Sequence, residues 1–226
     1  MLCTGEQMAK SSVSLLFLWC LVLSWICLSY TYPSDAEGAL PLGDDEDRIP
    51  EGSGEEPVAS NPMLFHSRCG RNMRVSRNGK SAHRKNNRAF GESAVLTNRP
   101  LQPGEVFEVW VDSGAEHIEH PRIGVTTQNP EIIHYPDYMN HLREGTWGWD
   151  VWPDEIYMDG EVINDRYTVG ERNIQRGDRF GVSVKDNELH FHHNGRDMGA
   201  AASDVVGDLY AYLDLYWQLS NATIVN

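Results

Sequence analysis

Three histidines lie within four positions in the stretch ELHFHHNGRDMG, which begins at Glu188. Imidazole nitrogens bind transition metals and transfer protons near neutral pH, so such a cluster can form a metal site or a catalytic site. On a β-strand, His190 and His192 share one face and His193 lies on the other. A metal would need a third ligand, whose position the sequence does not fix. The spacing therefore favours exposed strand histidines over a metal-binding or hydrolase site, and we expect no metal.

Other catalytic patterns are incomplete. The stretch NGKS, Asn78 to Ser81, resembles the end of a phosphate-binding loop, but Arg74 stands where the loop needs its first glycine. The chain has no GxSxG motif for a serine nucleophile. Cys69 has basic neighbours that favour a thiolate, yet no histidine partner is indicated. The sequence therefore predicts a protein that is not an enzyme and that needs no cofactor.

The elements that hold these residues are short strands separated by turns. Asn78-Gly79 and Asn194-Gly195 each predict a type I′ hairpin turn. Two-residue alternation runs through FEVWVD, from Phe107, and through RFGVSVK, from Arg179. In YAYLDLYW the same alternation sends one set of residues to the core and the other towards solvent or a partner: Tyr210, Tyr212, Asp214 and Tyr216. The pattern predicts an all-β fold, an antiparallel β-sandwich of one domain.

Tryptophans cluster in the stretch GTWGWDVWPDEIYMDG. Trp147 and Trp149 share a strand face, so at least one of them is expected in the core. Trp152 follows within the same six positions, beside a proline. Large aromatic side chains near loops are also typical of the centres of protein interfaces. Core packing and a peptide-binding surface both remain open interpretations of this stretch.

Charge is distributed unevenly along the chain. The net charge is −14, and the segment 101–226 carries 22 acidic residues against eight basic ones. This acidity argues against nucleic acid as the main partner, because phosphates would be repelled. Bases without any intervening acid run from Arg68 to Arg88, and the first five are spaced three apart, so in strands they would alternate between faces. They are either a solvated surface or an acceptor for an acidic peptide, for the chain's own acidic segment or for an anionic membrane.

The N-terminal part contains two further segments. Residues 1–32 include an uncharged, mostly apolar stretch from Val13 to Tyr32 that is long enough to span a bilayer. It predicts either a signal anchor or a cleaved signal peptide, with an unused leader as the alternative. Residues 33–62 are rich in acid, Pro, Gly and Ser, which predicts a disordered linker. Residues 63–226 form the predicted domain, and their only cysteine, Cys69, rules out an internal disulfide there.

Several motifs together resemble a known family. In order they are FHSRCGRNMRVSRNGKSAHR, RPLQPGEVFEVWVD, IGVTTQNPE, LREGTW, LHFHHNGRDMGAAAS and YAYLDLYWQLSNATIV, and they cover about residues 65–225. They are similar to the Neuralized homology repeat domain. The resemblance implies a SPRY-like or jelly-roll-like β-sandwich that binds proteins. It also implies links to ubiquitin ligation and to traffic of Notch ligands.

Two features depart from that family. The 226 residues contain no cysteine- and histidine-rich RING motif, so the ligase step is not carried over. The hydrophobic leader is unlike the family's usual soluble N-terminus. If the leader is used, the domain is either secreted or is the lumenal or extracellular part of a single-pass membrane protein. Asn221-Ala222-Thr223 is then a candidate glycosylation site. Without the leader we expect a cytoplasmic protein.

These observations predict a non-catalytic module that recognises a segment of a partner protein through loops of the sandwich. The alternatives are a substrate adaptor that acts with a separate RING protein, and a histidine-based metal-binding protein or hydrolase. Attachment to a membrane is expected only through the N-terminal segment. The predicted partner contacts are Trp149, Trp152, Tyr157, Tyr135 and His117.

Overall fold

The computed structural model describes residues 61–113, 121–168, 177–216 and 219–225. Within these ranges the chain is almost entirely β-structure, with one 3-10 turn at Met139–His141. The strands found there are β1 (Met73–Val75), β2 (Ser81–Arg84), β3 (Ala94–Leu96), β4 (Phe107–Ser113), β5 (Arg122–Thr126), β6 (Thr146–Asp150), β7 (Glu155–Met158), β8 (Glu161–Asn164), β9 (Arg179–Lys185), β10 (Glu188–His193), β11 (Arg196–Ala202), β12 (Tyr210–Asp214) and β13 (Leu219–Ile224).

The strands form two antiparallel sheets, which confirms the predicted β-sandwich. One sheet has the order β1-β2-β13-β4-β9-β10-β11, and the other has the order β3-β12-β5-β6-β7-β8. The segment before β1 hydrogen-bonds along β3, with Gly70 N–H donating to Ala94 O and Asn72 N–H donating to Glu92 O. The edge strands β1 and β3 therefore lie on the same side of the sandwich.

Alternate residues of the long strands fill the space between the sheets. In β4, Phe107, Val109 and Val111 are buried, whereas Trp110 between them is 52% exposed. In β9, Phe180 and Val182 are buried in the same core. Burial of each such side chain contributes about 1.5–3 kcal/mol. The predicted alternation is confirmed in β4. In β9 the core-facing residues are as predicted, but Gly181 and Ser183 on the other face are buried as well.

The outer face of β12 corrects one prediction. Tyr212 and Asp214 were expected to face solvent or a partner, but they are 0% and 1% exposed. The chain after β5 returns over this face, and Ile133 and Met139 pack with Tyr212 in a second apolar cluster. Alternation therefore assigned the residues of β12 to the correct faces, but the loop after β5 buries the face that was expected to be exposed.

The two predicted Asn-Gly turns differ in geometry. Asn194 and Gly195 have φ values of 52° and 80°, as a type I′ turn requires, and they join β10 to β11. Between β1 and β2 only Gly79 is left-handed, with φ +70°, and Gly79 N–H donates to Ser76 O. The hairpin is confirmed there, but the type I′ turn is wrong, because the loop is longer and places a single glycine in the left-handed region.

Several predictions fall on residues outside the described ranges. The leader, residues 1–32, and most of the linker, residues 33–62, are among them, and so is His117. Over the described part of the chain, no helix has the length and apolar character needed to cross a bilayer.

Candidate protein-binding surface

Two of the five predicted contact residues are buried, which corrects their assignment. Trp149 is 3% exposed and Tyr157 is 2% exposed. The indole of Trp149 lies in the core, with ring centroids 6.2 Å from Phe180 and 5.7 Å from Phe191. The Tyr157 hydroxyl shares a hydrogen bond of 2.9 Å with the Tyr212 hydroxyl. Neither side chain offers surface to a partner, because both faces of the β6–β7 hairpin are covered.

Trp152 lies in the connection between β6 and β7 and is 63% exposed. The connection is held by Asp154, which accepts hydrogen bonds from Trp149 Nε1 at 3.1 Å and from the Thr168 hydroxyl at 2.9 Å. Asp154 occupies the left-handed region with φ 82°. Trp152 therefore stands on a well-anchored loop at the end of the sandwich, and its role in partner contact stays a prediction.

Tyr135 lies in a groove on the side of the sandwich where β1 and β3 meet. Three adjoining depressions of about 460, 270 and 390 Å³ follow this side. The first two share Arg68 and Cys69, and Arg71 lines all three, so we treat them as one feature, the lateral groove. Its principal lining residues are Arg68, Cys69, Arg71, Arg74, Lys85, Phe90, Glu92, Ile133, Tyr135 and Asp137.

Side-chain hydrogen bonds to backbone carbonyls hold the walls of the lateral groove together. The Tyr135 hydroxyl donates to Arg68 O at 3.0 Å, and Arg68 Nη2 donates to Ile133 O at 3.0 Å. Gly70 lets the segment before β1 approach the β2–β3 loop closely, since a Cβ on Gly70 would lie 2.3 Å from Glu92 O. A side chain at Gly70 would push the segment before β1 away from the β2–β3 loop. The groove is therefore built by fixed backbone rather than by side chains alone.

One ion pair crosses the lateral groove. Arg71, whose side chain is 85% exposed, donates from Nε and Nη2 to the carboxylate of Glu92. The carboxylate and its hydrogen bonds raise the pKa of Arg71. Glu92 reaches this position from a left-handed backbone, with φ 47°, and its N–H donates to Asp137 O at 2.9 Å.

The remaining cations of the lateral groove have no carboxylate partner among the described residues. Arg68 donates to the carbonyls of Glu131 and Ile133, and Lys85 Nζ donates to Arg71 O at 2.8 Å. Arg74 is exposed on β1. Among the described residues, no carboxylate is within ion-pair distance of Arg68, Arg74 or Lys85. This part of the groove is therefore positive on an otherwise acidic domain.

Cys69 is half-buried on the floor of the lateral groove. Burial raises the pKa of its thiol, against the opposing effect of Lys85. A raised pKa keeps the thiol protonated at neutral pH, which removes the nucleophilic form. The geometry thus gives Cys69 no activation for covalent chemistry.

A buried charged cluster supports the loop end beside the groove. Arg122 Nε donates to Asp150 at 2.7 Å, and its guanidinium lies 5.0 and 4.8 Å from the ring centroids of Tyr138 and Tyr216. Asp214 accepts a hydrogen bond from Met139 N–H at 3.1 Å, and burial raises its pKa to about 6 against the lowering effect of Arg122. These contacts tie the 3-10 turn to the sheet.

The three histidines of β10 and its end do not converge. His190 pairs with Asp197 at 3.0 Å and His192 bonds Ser183 Oγ at 2.9 Å. His193 pairs with Asp178 at 2.9 Å and stacks on Phe180. Across the described ranges, no three His, Cys, Asp or Glu side chains are grouped as a metal ion requires. Each histidine has its own polar partner, so the geometry favours a structural role.

Asn221, the candidate glycosylation site, lies within β13 on the outer face of its sheet. Its side chain is half-buried, and its Oδ1 lies 2.7 Å from Nδ1 of His83 on β2. Thr223, the third residue of the motif, bonds Ser81 at 3.0 Å. Glycosylation there stays a prediction.

The basic run is visible in the sequence, but the placement of its side chains is not. Spacing by three predicted alternating faces, yet Arg68 and Arg71 lie in a loop, Arg74 lies in β1 and Lys85 follows β2, so all four line one depression. Arg84 from the same run is instead buried, with Nη1 3.4 Å from Leu219 O. The absence of acids across residues 65–91 was the signal for this site. The pairing of β1 with β2, which places the residues, needed the fold.

Known proteins share this fold. The sandwich is similar to the NHR1 domain of Drosophila melanogaster Neuralized, with 20% identity, a TM-score of 0.53, and coverage of 73% of this chain and 98% of that one. A solution structure of the Neuralized NHR domain from the same fly gives 20% identity, a TM-score of 0.52, and coverage of 76% and 95%. The SPRY domain of human HERC1 gives 17% identity, a TM-score of 0.55, and coverage of 71% and 96%. The family profile described as Neuralized matches residues 65–226, so the chain belongs to the Neuralized family.

Proposed function

We propose that this chain is a non-catalytic protein-interaction module that binds a segment of a partner protein along the lateral groove. Membership of the Neuralized family supports the class of function, because Neuralized and SPRY-like domains are interaction modules. The observation that carries the location is the groove itself, a preformed channel with apolar side chains exposed beside it. Phe90 is 66% exposed and Ile132, next to the lining residue Ile133, is 72% exposed.

Phe90 and Ile132 are large exposed apolar side chains that a partner can bury. Burial of Phe90 and Ile132 by a partner would release about 1.5–3 kcal/mol each. The fixed walls lower the ordering cost of binding, since the groove does not need to form when the partner arrives. An extended segment suits a channel of this form, with alternate side chains turned into it.

Trp152 offers a second contact for a longer partner. Trp152 follows β6, whereas the lateral groove lies beside β3. In the sheet β12 and β5 lie between these two strands, so β6 is about 14 Å from β3. About four residues of extended chain cover such a distance. We propose the lateral groove as the primary contact and Trp152 as a secondary one.

The finer roles rest on family membership alone. A substrate adaptor for a ubiquitin ligase, or a part in traffic of Notch ligands, would require a separate RING-bearing partner. Co-purification of such a protein with the full chain is the discriminating observation. Recovery of partners that lack any RING protein, across several cell types, would argue against the adaptor role.

Surface variants of the full chain test the proposed function. Phe90→Ser with Ile132→Ser is expected to abolish recovery of a crosslinked partner from cells while leaving the melting temperature unchanged. Val206→Ser is the matched control, because Val206 is 56% exposed and borders a different depression. Retention of every partner by the groove variant, or equal loss in the control, would contradict the proposal.

A further inference from the structure

One depression of the lateral groove is lined by cations alone among its charged residues. The depression of about 460 Å³ takes Arg68, Arg71 and Arg74 from one stretch of chain and Lys85 from a second, and no Asp or Glu lines it. Between these cations lie Cys69 and the side chains of Met73 and Val75. The site therefore combines positive charge with a partly apolar floor.

Two of the four cations of this depression, Arg68 and Lys85, are held by hydrogen bonds and have no carboxylate partner among the described residues. The backbone carbonyls of Ile133 and Arg71 accept hydrogen bonds from Arg68 and Lys85 and hold the two side chains in position. Arg71 alone has a carboxylate partner, Glu92. A guanidinium fixed in this way is suited to a carboxylate, which it can bind with two parallel hydrogen bonds. Prior fixation also reduces the entropy that binding must offset.

The charge around the depression selects the kind of anion. Residues 101–226 carry 22 acidic residues against eight basic ones, so a broad polyanion would meet repulsion over most of the domain. A narrow acidic segment can enter the depression without covering that acidic surface. Phe90 lines one adjoining depression and Ile132 precedes Ile133, which lines the other, so both could contact apolar residues of the same segment.

Resting on the proposed function, we propose that the cationic depression recognises an acidic segment of the partner, with partner carboxylates against Arg68, Arg74 and Lys85. Apolar residues of the same segment pack against Phe90 and Ile132. The ligand class is thus an extended, carboxylate-rich peptide rather than a membrane surface or a nucleic acid.

A defined peptide tests this inference on the full chain. The probe is a fluorescein-labelled glutamate-rich peptide with leucines at both ends, and its counterpart has glutamine for every glutamate. We expect the glutamate peptide to bind at least about tenfold more tightly, and added NaCl to weaken it. Binding should slow alkylation of Cys69, measured by peptide mapping, because Cys69 lies on the floor of the groove.

Charge-reversal variants locate the binding. Arg74→Glu with Lys85→Glu is expected to raise the Kd about tenfold or more. The control, Arg77→Glu with Arg166→Glu, makes the same change in net charge at exposed positions outside the groove and should keep affinity within about twofold. Equal losses in both variants would overturn the inference, and so would unprotected Cys69 or a preference for anionic phosphatidylserine vesicles over the peptide.

The same variants separate this inference from the proposed function. Phe90→Ser with Ile132→Ser could lose the cellular partner while Arg74→Glu with Lys85→Glu retains it. In that case the groove is an interface, but the proposal that its ligand is acidic is wrong. If both variants retain the partner, the proposed function fails as well.

Discussion

Arg71 and Glu92 join the two walls of the lateral groove through a bidentate ion pair. Arg71 comes from the segment before β1, and Glu92 comes from the loop before β3. The pair lies on the surface, with the Arg71 side chain 85% exposed. Glu92 therefore competes with any acidic ligand for this guanidinium, and its removal should favour ligand binding.

Glu92→Gln is accordingly expected to tighten binding of the glutamate-rich peptide. Release of Arg71 should lower the Kd about threefold, a change typical of one exposed ion pair. The left-handed backbone at this position is tolerated equally by both residues, so the melting temperature should stay nearly constant. Fluorescence anisotropy measures the Kd, and a Kd that rises in the variant would contradict the competition.

Trp149→Ala should destabilise the fold, whereas Trp152→Ala should not. Loss of a buried tryptophan from the core costs about 3–5 kcal/mol, while an exposed one contributes about 0.5 kcal/mol or less. Urea unfolding of the two single variants checks this contrast. Similar losses in both would show that Trp152 is part of the packed structure.

Asp214 should make stability fall as the pH rises. Its ordinary pKa of 3.8 is raised to about 6 by burial in the folded chain, so the folded state binds the extra proton between these values. The stability from this proton is fully present below about pH 4 and is lost as the pH rises through about 6, up to about 3 kcal/mol. Asp150 lies in the same cluster and its pKa is also raised by burial, so the comparison needs a variant.

Asp214→Asn removes that titration and keeps an oxygen for the Met139 N–H. The free energy of unfolding of the wild type minus that of the variant is expected to fall between pH 4 and pH 7. Chemical denaturation at several pH values gives the difference. A difference that stays constant or increases with pH would contradict the buried, raised-pKa carboxyl.

Asn221 tests the leader and the side of the membrane together. Expression of the full chain in mammalian cells should yield a glycosidase-sensitive band if the leader is used, and Asn221→Gln should remove the shift. Thr223→Ala is the matched control, because it also breaks the motif while it leaves the asparagine in place. A single unshifted band in all three proteins, with the domain open to protease on the cytosolic side, would show an unused leader.

Periodicity predicted the sandwich because alternation at Phe107, Val109 and Val111 reports burial directly. It could not predict which faces a loop would cover, and for that reason Tyr157 and Tyr212 were expected at a surface. The histidines lie on a strand as predicted, since Asn194 and Gly195 set the hairpin register after them. The prediction that they are exposed was wrong, because His192 is 9% exposed and the side chains of His190 and His193 are 18% and 15% exposed. The lateral groove depends on contacts between residues distant in sequence, such as Gly70 with Ala94, and no local pattern encodes those contacts.

Hydrogen–deuterium exchange of the full chain with a partner recovered by capture tests the central claim most directly. The account predicts that partner binding slows exchange at residues 66–74, 85–92 and 131–137, which form the walls of the lateral groove. Residues 205–209, which border a different depression, should exchange at an unchanged rate. Protection at 205–209 with none in the three groove segments would contradict the account.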